Sequence, residues 1–158
     1  MTDDHPKQAR LPPRWFVRSA WSVHRTLYRV TGGRFGLRPP AGNRYGMMRL
    51  TTIGRRSGEE RSVILGYFED GPNLVTMAMN GWAAPEPAWW LNLQAHPDAT
   101  LDLAQGRLEV RGRAAVGEER ARLWSRWSEI DEGLDSYAAR RPTETAVVIL
   151  EPTQSPEG

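Results

Sequence analysis

Arg55, Arg56, Ser57 and Arg61 fall within seven positions of the stretch LTTIGRRSGEER, residues 50–61. Guanidinium forks beside turn amides and a hydroxyl suit an anion such as phosphate or carboxylate. Gly54 and Gly58 let the backbone turn tightly and approach a ligand closely. A solvated hairpin turn with surface arginines accounts for the same composition, so the pattern alone leaves both readings open. Two further groups suit binding. Met77 and Met79 alternate with Ala78 and share a face of a strand that runs to Asn80. Trp89 and Trp90 sit about 100° apart on a short helix, so one can be core while the other borders a pocket. Thioether and indole surface beside an arginine cradle suits a flat aromatic ligand with an anionic tail.

Other chemistries find little support. The 158-residue chain has no cysteine, which excludes disulfides, thiolate nucleophiles and cysteine metal sites. Its three histidines, His5, His24 and His96, have no metal-ligand spacing, so no metal is expected. No serine–histidine pair and no carboxylate pair stands out, which argues against hydrolysis by the protein's own side chains. The net charge is only +2, and no basic stripe interleaves with aromatics, so nucleic acid is not an expected partner. Residues 1–10 are polar with no apolar run behind them, so no signal peptide is expected. No run of about eighteen apolar residues predicts a membrane-spanning helix, and the expected compartment is the cytoplasm.

The length predicts one domain. Residues 1–11 read as disordered, 12–151 as the folded unit and 152–158 as a flexible tail. Pro12 and Pro13 open a helix over 12–31, with Phe16, Ala20, Val23, Leu27 and Val30 on one stripe. Arg14, Arg18, Arg25 and Arg29 form another face, suited either to solvent or to an anionic membrane surface on the cytoplasmic side. Strands are predicted over 47–53, 62–69 and 74–80, the first pair flanking the arginine loop. A short helix follows to about residue 96. A hairpin over 99–104 and 107–115, a helix over 117–130, a polar linker over 131–141 and a buried strand over 145–151 complete the chain. Six strands with three flanking helices make a mainly β, α+β barrel of mostly antiparallel strands.

The order of these motifs is specific. LTTIGRRSGEER, a strand, an Asp-Gly turn, another strand and then PAWWLNLQAHPDATL resemble the deazaflavin-dependent nitroreductase family, a branch of the oxidoreductases that use coenzyme F420. YRVTGGRFG ahead of them and SYAARRPTETAVVILEP behind them are similar too, so the likeness runs from about residue 28 to 152. It implies a split β-barrel, of the kind that also binds flavin mononucleotide. It also implies a bound deazaflavin whose tail carries a phosphate and a γ-linked glutamate chain. By that likeness Arg55, Arg56, Ser57 and Arg61 contact the tail, and Ser62, Val63 and Ile64 continue the wall. Met77, Ala78, Met79 and Asn80 lie along the ring, bordered by Ala88, Trp89, Trp90, Leu91 and Asn92. Leu134 and Tyr137 close the ring pocket, and Tyr137 is the candidate proton donor.

The resemblance therefore implies a reductase that passes a hydride from reduced F420 to a quinone-like or nitroaromatic acceptor. The substrate side departs from the nitroreductase branch. Gly66 and Leu134 stand where that branch has tyrosines, Asn80 where a lysine is frequent, and Trp82 where the residue is small. Quinones are accordingly expected to outrun bicyclic nitroimidazoles. The alternatives are a carrier that binds F420 without catalysis and a barrel that binds flavin mononucleotide; under every reading a monomer or homodimer is expected.

Overall fold

The computed structural model describes residues 36–42, 44–79 and 85–153. The helix predicted over 12–31, Asn80 and Trp82 lie outside the described residues, as does most of the predicted tail. Strands β1 (Gly46–Ile53), β2 (Glu60–Asp70) and β3 (Asn73–Met77) run in succession. Helix α1 (Ala88–Ala95) precedes β4 (Asp98–Leu103) and β5 (Gly106–Ala114). Helices α2 (Gly117–Ile130) and α3 (Leu134–Ala138) lead to β6 (Val147–Pro152).

Every pairing is antiparallel, and the order β1-β2-β3-β6-β5-β4 closes on itself into a barrel. Period-two burial builds it: β1 alternates buried and half-buried positions along its whole length. The buried residues Met48, Leu50, Tyr67, Leu74, Leu101, Val110, Val148 and Leu150 come from all six strands and fill the interior. Trp89, Trp90 and Leu93 of α1 join that interior and plug it. A second core lies outside the barrel. Phe68, Val75, Met77, Val147 and Ile149, from β2, β3 and β6, meet Leu123 and Trp127 of α2 and Leu134 of α3. Full burial of each such side chain contributes about 1.5–3 kcal/mol.

Two expectations need correction. The stretch predicted as a polar linker over 131–141 contains the helix α3. Its five residues do not form a helix on propensity alone; the complete burial of Leu134 holds it on the second core. Pro152 belongs to β6, pairing with Val110, rather than to a tail.

Candidate functional site

The β1–β2 hairpin sets the arginine turn. Thr51 pairs with Ser62 across the ladder, their hydroxyls 2.9 Å apart, and the last pair is Ile53 with Glu60. Beyond it, Gly54 N–H donates to the Glu59 carbonyl at 2.7 Å, and Gly58 N–H to the Gly54 carbonyl at 2.9 Å. Gly58 holds φ at +72°, a conformation glycine adopts without strain. At Gly54 a Cβ would lie 2.6 Å from Ser57 Oγ and 3.2 Å from the Glu59 carbonyl, so the turn folds this tightly only around glycine. Ser57 Oγ accepts the Glu59 N–H at 3.2 Å.

One side chain ties this turn to α1. Asn92 is buried, and its Oδ1 accepts the Arg55 N–H at 3.1 Å and Arg55 Nη1 at 3.4 Å. Its Nδ2 donates to Thr52 Oγ1 at 3.2 Å, so both ends of the amide are used. Arg56 has no hydrogen-bond or ion-pair partner among the described residues. Arg61 faces Glu59 at 3.4 Å with both side chains largely in solvent, a contact worth little. Of the three guanidinium groups on the turn, that of Arg56 is thus the one with no such contact among the described residues, and that of Arg61 is only weakly engaged.

A cleft of about 580 Å³ opens beside the turn, a size that suits a cofactor. Arg55, Arg56, Ser57 and Arg61 line one side of it. Ser62, Val63 and Leu65 continue the wall along β2. Met79, Pro87, Ala88, Trp89 and Asn92 form the other side. The cleft is therefore polar and cationic at the turn and apolar along Val63, Leu65, Met79 and Trp89. That donor set and those walls fit a flat ring carrying an anionic tail.

The remaining expected residues stand elsewhere. Ile64 is buried and, one residue out of phase with Val63 and Leu65, points to the opposite face of β2. Met77 is sealed in the second core, so of the two methionines only Met79 reaches the cleft. Ala78 is buried in the barrel interior. Trp90 is buried beside Trp89, their rings 6.4 Å apart, without lining the cleft. Leu91, the next residue of α1, does not line it either. Leu134 is wholly buried against α2, and Tyr137 packs its ring on Gly133; neither lines the cleft. Leu65 is a lining residue that the sequence reading did not single out. The phase of Val63 on its strand points to Leu65, and Pro87 belongs to the block at the start of the short helix that the sequence offers for binding.

A closed antiparallel six-strand barrel, with an arginine-rich hairpin turn and an apolar wall lining one cleft, is the architecture of a split-barrel protein. Residues 21–152 match the model of the F420H(2)-dependent quinone reductase family, and the chain belongs to that family of oxidoreductases using coenzyme F420. It is similar to the F420H(2)-dependent quinone reductase of Mycobacterium tuberculosis strain ATCC 25618 / H37Rv. The two are 29% identical over 131 residues, covering 81% of this chain and 87% of the relative. A solved F420-H2 dependent reductase, FDR-A, superposes with a TM-score of 0.60 at 26% identity, over 66% of this chain and 93% of its own. A solved domain-swapped dimer gives 0.65 at 26% identity, over 89% of this chain and all of its own.

Proposed function

We propose that the protein binds reduced coenzyme F420 in the cleft beside the 54–61 turn and reduces a quinone-like acceptor. One observation carries the reading: a single cleft unites Arg55, Arg56, Ser57 and Arg61 with the apolar wall of Val63, Leu65, Met79 and Trp89. The arginines and Ser57 hold the phosphate and carboxylates of the tail through charge-assisted hydrogen bonds. Asn92 keeps the Arg55 amide and guanidinium in place for that task. Val63, Leu65, Met79 and Trp89 take the flat ring and exclude water from its faces. The bound coenzyme supplies a hydride; the chain orients it and the acceptor. Tyr137 on α3 does not line the cleft; as a proton donor it would act from outside that lining, and unchanged turnover in Tyr137→Phe removes it from that role.

The relatives' names favour quinones over bicyclic nitroimidazoles. Parallel steady-state assays that rank the two acceptors in the opposite order overturn that preference. The decisive test of the cofactor is a fluorescence titration of the full chain with F420. Saturable binding, weakened at least about tenfold in an Arg55→Ala/Arg56→Ala variant, is expected. No saturable binding by the unaltered protein refutes the reading, and binding without oxidation by any acceptor makes the protein a carrier.

A further inference from the structure

Arg141 carries a charge into the interior: its side chain is 0% exposed. A buried charge is stable only when paired and hydrogen-bonded, so the partners define what the residue is for. Nη1 donates to the Ala78 carbonyl at 3.3 Å and to Thr145 Oγ1 at 2.7 Å. Nη2 faces Glu86 Oε1 at 3.3 Å, and Thr143 Oγ1 donates to that same oxygen at 3.4 Å. One guanidinium thus joins three stretches of chain: the residue after β3, the approach to β6, and the residue before Pro87.

Two of those stretches carry cleft walls. Ala78 precedes Met79, and Glu86 precedes Pro87, Ala88 and Trp89, all of which line the cleft. Pro87 provides no side-chain cap for α1, and its carbonyl accepts the Trp90 and Leu91 N–H groups at 3.1 and 3.3 Å, so what holds residue 86 also bears on the start of that helix. Glu86 Oε2 is buried with no hydrogen-bond partner among the described residues, so the carboxylate's charge is held there by Arg141. Arg141 itself does not line the cleft.

We propose that Arg141, through Glu86 and the Ala78 carbonyl, is a positioning residue that sets the spacing between the Met79 wall and the Pro87–Trp89 wall. The binding arm of its test rests on the F420 reading above; the exchange arm does not. A lysine at 141 keeps the charge but lacks the fork that spans Ala78, Thr145 and Glu86 together.

The test compares Arg141→Lys, Arg141→Met and Glu86→Gln with the unaltered protein, using Arg111→Ala on an exposed ion pair as control. Amide exchange is read on peptides from 77–79 and 85–93 against peptides from 98–114. F420 affinity and the kcat-against-KM split are read in parallel. Faster exchange at 77–79 and 85–93 is expected, with 98–114 unchanged. F420 affinity should fall about tenfold in Arg141→Met and severalfold in Glu86→Gln, with Arg141→Lys restoring little. Equal acceleration across the barrel assigns Arg141 a merely structural role and overturns the proposal, as do unchanged exchange and affinity. Should Arg141→Met fail to fold, Glu86→Gln, at a partly exposed position, decides by the same two readouts. Failure of the unaltered protein to bind F420 refutes the cofactor reading and leaves the exchange result to decide the positioning role.

Discussion

The Asn92 side chain holds Arg55 by its backbone, accepting that N–H at 3.1 Å while donating to Thr52 at 3.2 Å. A buried helix amide therefore fixes the first residue of the cationic turn. Replacement of Asn92 by Leu leaves the Thr52 hydroxyl and the Arg55 amide without their partner. The expected cost is about 1–3 kcal/mol of stability. F420 affinity should fall more than it does in a surface variant of equal stability. Urea denaturation and a binding titration on the same samples check both.

Gly58 supplies the turn with its left-handed residue, at φ +72° and with open space around its Cα. Gly58→Val meets no clash, so its effect is conformational. It should destabilise the protein by about 1–2 kcal/mol. Because the distortion lies between Ser57 and Arg61, tail affinity should fall as well. Thermal melting with and without F420 separates the two contributions.

Tyr67 fills the barrel interior with a hydroxyl that has no hydrogen-bond partner among the described residues. Burial, helped by the nearby Glu69 charge, pushes its phenol up to about 12 from an ordinary 10.0. Between those values the unfolded chain releases a proton that the native state keeps. Stability associated with Tyr67 is thus complete below pH 10 and is lost as pH rises toward 12. In Tyr67→Phe that part of the alkaline decline should vanish. At neutral pH the variant should be neutral or up to about 1 kcal/mol more stable, since an unpaired buried hydroxyl is removed. Urea midpoints at pH 8 and 11 check the sign.

Asp70 at the β2–β3 turn receives Arg122 in a fork at 2.8 and 2.9 Å and Arg126 at 3.2 Å. The hydrogen bonds from Arg122 hold its carboxyl below its usual value of 3.8. Its contribution is therefore present above that pH and lost as the pH falls through the depressed value. Asp70→Asn should lower stability by about 1 kcal/mol at pH 7. The difference should disappear in strong acid, where both chains carry a neutral group. Denaturation at pH 7 and below pH 3 tests the convergence.

Much of this fold is legible in the sequence. The alternation through Met48, Leu50 and Thr52, the hairpin around Gln105 and Gly106, and the turn at Gly54 are all local signals. Their physics lies in neighbouring residues. Which face of a strand lines the cleft is a different matter. Met77 is as apolar as Met79, yet β3 ends at Met77, which is sealed in the second core, while Met79 beyond the strand end lines the cleft. Helix α3 was illegible for a related reason: five residues hold their shape because Leu134 lies against the second core. Asn92 had a faint signal, a lone amide among Trp89, Trp90 and Leu93. Its partner Arg55 is 37 residues away and could not be foreseen from spacing.

The seat of β6 between β3 and β5 bears on how the molecule assembles. Leu150 pairs with Leu74 on one side and Gly112 on the other, across long stretches of chain. Until that strand arrives, both neighbours present open edges, the least protected stage for a β protein. The same arrival brings Ala146, whose carbonyl accepts the Ala78 N–H at 2.9 Å beside the cleft. Folding should therefore be slow and late-locking, governed by distant pairings. The ligand-binding edge and the finished barrel should appear in one kinetic phase.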